Sequence, residues 1–416
     1  MPSNRTVDRS ERLYVQVQTS LQEIPNSSGT ATVANGDAFK HATVALNNQR
    51  DRIDSRNKTG SRTLSQGIGG PRRGAFSVDL DLDPSGSLGT APDADALLEA
   101  LFGQAADIGT GSATITGAAD NGSGLIRITA TAHGLSSNDA VYVQNVGGVP
   151  NANGGWVVTV NDANTFDLIG SVFAGAYTSG GTAEKATVKY AMSDDFVNVV
   201  LWRFFSQPAT AEQDVAVGCA VGSATFTFGN PTFEVQFEGQ SSWVLDSKRF
   251  AGIPGGDIER GGLTSYPSEP GAPVTNGGII AGQNSRLAID GVFIDSPQSA
   301  TVTVQTGHRL REGEWETTFP DASEGTTRRV EVNITLSDSD LAALTAAKAS
   351  ALTLSPVDVV LRVGQDIGST FLVLLKNVQF EPAQRAAGEF STSLTLTGVA
   401  HGSSLTATDE ITLWQA

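Results

Sequence analysis

Three aspartates, Asp79, Asp81 and Asp83, alternate along the run RRGAFSVDLDLD that starts at Arg72. In an extended strand, carboxylates two residues apart share one face. Such a row could ligate Ca²⁺ or act as an acid pair. It is equally the solvated face of a strand whose other face, Phe76, Val78, Leu80 and Leu82, is buried. A second group is basic. Arg50, Arg52, Arg56, Lys58, Arg62, Arg72 and Arg73 set seven positive charges against Asp51 and Asp54 within 24 residues. That stretch reads as a solvated loop, as an arm that pairs with an acidic face of another subunit, or as a nucleic-acid contact. The last reading lacks the interleaved aromatics on which bases stack. The four histidines, His41, His133, His308 and His401, lie far apart, and none has a neighbour at zinc-ligand spacing. The GIGG from Gly67 lacks the Gly-Lys-Ser/Thr that completes a phosphate loop. With no nucleophile–base pair, no metal set and no cofactor motif, the chain is not expected to be an enzyme or to hold a metal or cofactor.

The elements that must position these groups are strands. The chain has 416 residues, 39% hydrophobic and 17% charged, with 46 Gly. Val, Thr, Ser, Ala and Gly dominate, as suits short strands joined by turns, and the length suits two or three domains. A net charge of −17 argues against a protein that grips phosphates. Cys219 is the only cysteine, so no intrachain disulfide is expected, and its run VAVGCAVG makes it a small core residue. The N-terminal MPSNRTVDRSERLYVQV has no apolar core of a signal peptide. The apolar runs fall far short of the roughly twenty residues of a membrane helix.

One β-rich unit occurs twice. Residues 42–52, ATVALNNQRDR, resemble 300–310, ATVTVQTGHRL; RRGAFSVDLDLD from Arg72 resembles RRVEVNITLSDSD from Arg328. Acidic helix starts follow at Asp93 and Asp338, then VNVVLWRF from Val197 and VDVVLRVG from Val357, and finally FEVQFEG from Phe233 and TSLTLTG from Thr392. The first copy carries an insertion of alternating strands between turn residues. The predicted organisation is a first domain from 1–103 and 187–250, an inserted β domain at 104–186, a linker rich in Gly and Pro at 251–278, and a second domain at 279–416. A strand is expected over 38–46, a polar loop over 49–71 and a helix over 91–103.

This order of strand, strand, long polar loop, strand, acidic-capped helix and three closing strands resembles the tail tube proteins of long-tailed bacteriophages. RRGAFSVDLDL leading to DADALLEALFG, and VAVGCAVGSATFTFGNPTFEVQFEG, carry the likeness. The insertion, HGLSSNDAVYVQNVGG followed by NGGWVVTVNDANTFDL, is similar to a small β module appended to phage virion proteins. The resemblance implies a mainly β fold of two tail-tube-like β-sandwich domains, each with a short flanking helix, and an insert on the outer surface. It implies a structural virion protein without enzymatic activity, assembled in the host cytoplasm into stacked rings that form a channel for the genome. Two fused domains imply three chains around a pseudo-sixfold ring. Implied partners are other copies of the chain, a tape measure protein, a tail terminator and distal tail proteins, with DNA passing through and no membrane insertion. The basic residues from Arg50 to Arg73 would form the inter-ring loop, and Asp79, Asp81 and Asp83 would face the lumen. The rival reading is a glycan-binding adhesin with Trp156, Tyr142 and Tyr177 of the insert as sugar platforms.

Overall fold

The computed structural model describes residues 11–19, 21, 24, 26–27, 30–54, 67–205, 212–229, 232–246, 267–270, 278–282, 285–294, 297–312, 319–320, 322–337, 342–387 and 392–416. Most of the linker 251–278 lies outside them. The fold is mainly β, with two α-helices among the described residues, α1 (Asp95–Phe102) and α2 (Ala342–Thr353). None of their helices is long and apolar enough to cross a membrane.

Eight strands, four from each repeat, form one continuous antiparallel sheet. Thr43–Ile53 pairs with Ile68–Asp81, which pairs with Phe233–Ser241, which pairs with the second half of Glu212–Phe228. There the second repeat joins: Ser223–Phe228 lies in register against Ala300–Gln305. Pro297–Gln305, Arg329–Ser337, Thr392–Ala400 and Gln384–Ala387 complete the order. Alternation explains the burial. Phe76, Val78 and Leu80 point to one side with Val235, Phe237, Phe226, Val302, Val332 and Leu396, all buried in one core that spans both repeats.

Each repeat then adds a second sheet over that core. In the first, Glu11–Gln18 pairs with Asn198–Phe205, which pairs with the start of Glu212–Phe228, which also takes Trp243–Asp246. In the second, Arg286–Ile289, Val357–Val363, Phe371–Phe380 and Ile411–Gln415 repeat the order. One long strand in each repeat passes from one sheet to the other. Glu212–Phe228 turns at Gly218 (φ +63°), where a Cβ would lie 2.6 Å from the Leu21 carbonyl oxygen. Phe371–Phe380 turns at Asn377 (φ +46°), whose amide donates to Asp358 Oδ1 at 3.0 Å.

The registers align the repeats strand by strand and correct one phrase. The offset that relates Arg72 to Arg328 also relates Thr43 to Ser299, through their partners Asp79 and Thr335. The match of 42–52 to 300–310 is therefore out by two residues, a slip that keeps the same face inward. Two boundaries also differ. Ala38–Phe39 and Thr43–Ile53 are separate strands, and α1 starts at Asp95, with Gly103 (φ +78°) as its left-handed C-cap.

The insert forms its own seven-stranded sheet around Ile128, Val141, Trp156, Val158 and Phe166. It sits on the second repeat's flanking sheet, where Tyr142 and Val157 pack with Val360, Leu372 and Trp414. The Tyr142 hydroxyl donates to the Gln365 carbonyl at 3.0 Å. Val188–Ala191, just after the insert, pairs with Ile411–Gln415 and forms a second seam between repeats.

Candidate assembly surface

The eight-stranded sheet has one buried face and one polar face. Along one row across it, each residue opposite the next, lie Asp81, Glu234, Thr227, Thr301, Asn333 and Thr397. The neighbouring row holds Thr43, Asp79, Gln236, Thr225, Thr303, Glu331 and Val399. Glu238 opposes Ser77 in a third row. The face thus carries five carboxylates, Asp79, Asp81, Glu234, Glu238 and Glu331, in a field of hydroxyls and amides. Arg329 pairs with Glu331 on the same strand. Burial raises the Asp81 carboxyl above its ordinary range, and the charges of Glu234 and Asp83 add to that against a hydrogen bond from Thr232. Like charges directly opposite on paired strands are destabilising, so folding alone does not account for Asp81 against Glu234.

Asp83 is not part of this face. The strand ends at Asp81, and Asp83 is buried with Oδ2 2.7 Å from Lys40 Nζ. Its alternation with Asp81 continues in sequence after the pleat has stopped. Glu234, Glu238 and Glu331 were not singled out from sequence. The alternation of FEVQFEG contained the first two, but nothing local reveals that Glu234 lies beside Asp81.

The polar stretch 49–71 is not simply a loop. Both strands run on into it, with Arg50 opposite Arg72, Arg52 opposite Gly69 and Ile53 opposite Ile68. The result is an arm of two paired strands beyond the core, polar on both sides because no described core residue lies beneath it, with Ile53 and Ile68 exposed. Arg52 Nε lies 2.7 Å from Asp54, and Arg50 Nε donates to the Gly70 carbonyl at 3.3 Å. At the base Arg73 bonds Glu312 at 2.9 Å, and Arg72 lies 5.6 Å over the Phe319 ring. Arg56, Lys58 and Arg62 lie outside the described residues. The second repeat's counterpart folds back: Phe319 is buried 5.1 Å from Trp243, and Ser242 Oγ donates to the Pro320 carbonyl at 2.7 Å.

The sheet has two open edges among the described residues. Thr43–Ile53 is paired only with Ile68–Asp81, and Gln384–Ala387 only with Thr392–Thr395. These are the counterparts of the two strands that meet at the seam within the chain. Thr43–Ile53 corresponds to Pro297–Gln305. Gln384 and Ala386, opposite Thr395 and Ser393, correspond to Thr225 and Thr227, opposite Gln236 and Glu234.

The aromatics of the adhesin reading do not offer ring faces. Trp156 is buried, its Nε1 donating to the Ala152 carbonyl at 2.8 Å, and Tyr142 is buried against the second repeat. Tyr177 packs on the insert's core and donates to the Ile115 carbonyl at 3.1 Å. Among the described residues no group of three or more His, Cys, Asp or Glu side chains is placed to hold a metal. His308, half-stacked on Phe196, is pushed down to about 4 by burial and is neutral. Cys219 is buried, which raises its thiol well above the ordinary range. Compared with known protein families and with curated proteins, the chain matches none.

Proposed function

We propose that this chain is a structural subunit of a long-tailed phage tail tube, whose copies join edge to edge into a ring. The observation that carries the reading is the seam at Ser223–Phe228 and Ala300–Gln305, together with open edges that correspond to its two sides. Repeating that seam between copies is a head-to-tail contact, and such contacts close into rings when the rotation allows. It also removes the exposed strand edges that a lone sheet must otherwise protect. Three copies give six quasi-equivalent repeats. The polar face, with its five carboxylates, then lines the channel, where negative charge keeps DNA from adhering. The hairpin arm with Arg50 and Arg52 reaches the next ring. The subunit is non-enzymatic, belongs in the virion tail, and meets tape measure, terminator and distal tail proteins at the tube's ends.

End-on electron microscopy of the purified protein tests this. Hollow rings or tubes with threefold symmetry and six similar lobes are expected. Sixfold rings of twelve lobes would retain the tube and overturn the three-chain ring. Compact monomers at high concentration would overturn both.

A further inference from the structure

The seam within the chain has a second part, outside the sheet. Phe196 precedes the strand Asn198–Phe205, and its turn lies against the end of α1, where the Ser193 amide donates to the Phe102 carbonyl at 2.8 Å. From there its ring stacks on His308 of the second repeat, with ring centres 4.7 Å apart. Gly325 stands opposite His308, and a Cβ on it would lie 2.5 Å from the Phe196 ring. The end of the first repeat's helix is thus seated on the His308–Gly325 pair of the second, and the bare glycine makes room for it.

The registers give counterparts for all three residues. Val199 and Val357 pair with Cys219 and Val378, each one residue past the turn of its long strand. Val357 therefore stands with Val199, and Leu354, three residues before it, stands with Phe196. On the other side, the offset that relates Arg328 to Arg72 relates His308 to Arg52 and Gly325 to Gly69. These two again lie opposite each other. The ladder shifts by one residue at the same place in both repeats, after Arg50 opposite Arg72 in the first and after Gln305 opposite Arg329 in the second, so the two pairs present the same face. Arg52 and Gly69 are exposed. Leu354 is 53% exposed at φ +53°, a region that glycine adopts freely and leucine only under strain. Gly103 ends α1 in that region without strain. Capping α2 calls for glycine too, so the leucine contributes nothing to the cap beyond an exposed apolar side chain. Gln379 Nε2 donates to the Leu354 carbonyl at 3.1 Å, which holds it close to the open edge that begins at Gln384.

We propose that Leu354 of one copy seats on the Arg52–Gly69 pair of the next copy, as Phe196 seats on His308–Gly325 within the chain. The contact rests on the edge-to-edge ring, and its occupant is a second copy because the seam at Ser223–Phe228 and Ala300–Gln305 supplies the template. Gly69 leaves room for the side chain, and the methylene stem of Arg52 gives it an apolar floor. Strand pairing by itself allows slippage along a polar edge; a knob from the helix end, set in a notch at one position, fixes how far the two edges slide past each other.

The test follows assembly of the full chain by sedimentation and electron microscopy. Leu354→Gly relieves the left-handed backbone, so the single chain is expected to melt no lower than wild type. The concentration at which it assembles is expected to rise about tenfold, and Leu354→Met is expected to restore it. In a second measurement, Leu354→Cys with Arg52→Cys is expected to be linked between chains by a short bis-maleimide, while each single variant stays unlinked. The double variant decides the matter if Leu354→Gly melts lower than wild type. Assembly of a stably folded Leu354→Gly at wild-type concentrations overturns the contact. So does the absence of the 354–52 link in rings whose edges are linked by Ala45→Cys with Ala386→Cys, and the ring then stands without it. Chains that form neither rings nor that edge link overturn the ring, and the contact with it.

Discussion

Two residues explain why both repeats close on glycine. A Cβ on Gly239 would lie 2.7 Å from the Phe76 ring and 2.0 Å from the Ala220 carbonyl oxygen, and one on Gly398 would lie 2.8 Å from the Phe380 ring. In each repeat a phenylalanine thus covers the bare backbone, and the neighbouring strand is fixed at that distance. Gly239→Ala and Gly398→Ala are each expected to destabilise the fold by about 1–3 kcal/mol, as overpacking does, read from urea midpoints. An unchanged midpoint would mean that the rings and, at Gly239, the Ala220 backbone give way without cost. Asp93 gives a prediction of opposite sign. Its Oδ2 is buried without a hydrogen-bond partner, and burial pushes its carboxyl up to about 6, with Lys40 opposing and Asp83 reinforcing the shift. A carboxyl raised above its unfolded value holds its proton more tightly in the fold. It therefore weakens the fold above pH 6, and stability returns as pH falls from about 6 towards 4. Full burial would make that nearly 3 kcal/mol; the group is partly exposed, and screening reduces it to about 1 kcal/mol. Asp93→Asn is expected to raise stability at pH 7.5 by about that amount and to flatten the window below pH 6. Equal urea midpoints for wild type and variant at pH 7.5 would contradict this.

At the scale of elements, the strands with a core beneath them were legible in the sequence because alternation reports burial directly. Phe76, Val78 and Leu80 marked one strand, and Phe233, Val235 and Phe237 another. The arm was not legible as strand, because its described residues, 48–54 and 67–70, have no core beneath them to impose a period. Nor was the seam: sequence locates Thr225 and Thr303 on strands, but no local pattern says that they lie opposite each other. That pairing yields a test of the open edges. Thr227 opposes Thr301 within the chain; their counterparts at the edges are Ala386 and Ala45. In a ring, Ala386 of one copy should therefore lie opposite Ala45 of the next, with Cβ atoms about 4.5–5.5 Å apart. Ala45→Cys with Ala386→Cys is expected to cross-link between chains on mild oxidation, with a ladder that ends at three. Cys219 is buried and should not compete. Single-cysteine controls should stay uncrosslinked, and a double variant that behaves like them would refute the edge pairing.

At the scale of the whole molecule, the proposed ring has a channel whose size the sheet would set. Eight strands from each of three copies, about 4.8 Å apart and tilted by about 40°, close a barrel roughly 45–50 Å across between backbones. Side chains narrow that bore to one suited to a single duplex; two copies would leave too little room, and six would leave an opening about twice as wide. The net charge of −17 sets no direction by itself, since acidity also keeps a protein soluble. What gives it direction is the placement of Asp79, Asp81, Glu234, Glu238 and Glu331 on a face that no described element covers, while the insert and the fold-back at Phe319 lie over the flanking sheets. The orientation can be measured. Gln236 stands near the middle of the polar face, exposed in the single chain. A Gln236→Cys variant labelled with biotin–maleimide is expected to react both as a subunit and in assembled tubes, because the small reagent enters the bore. A bulky avidin probe should then capture the labelled subunits but not the labelled tubes. Equal capture of both would put the acidic face on the outside and leave the arrangement of edges to be explained without a channel.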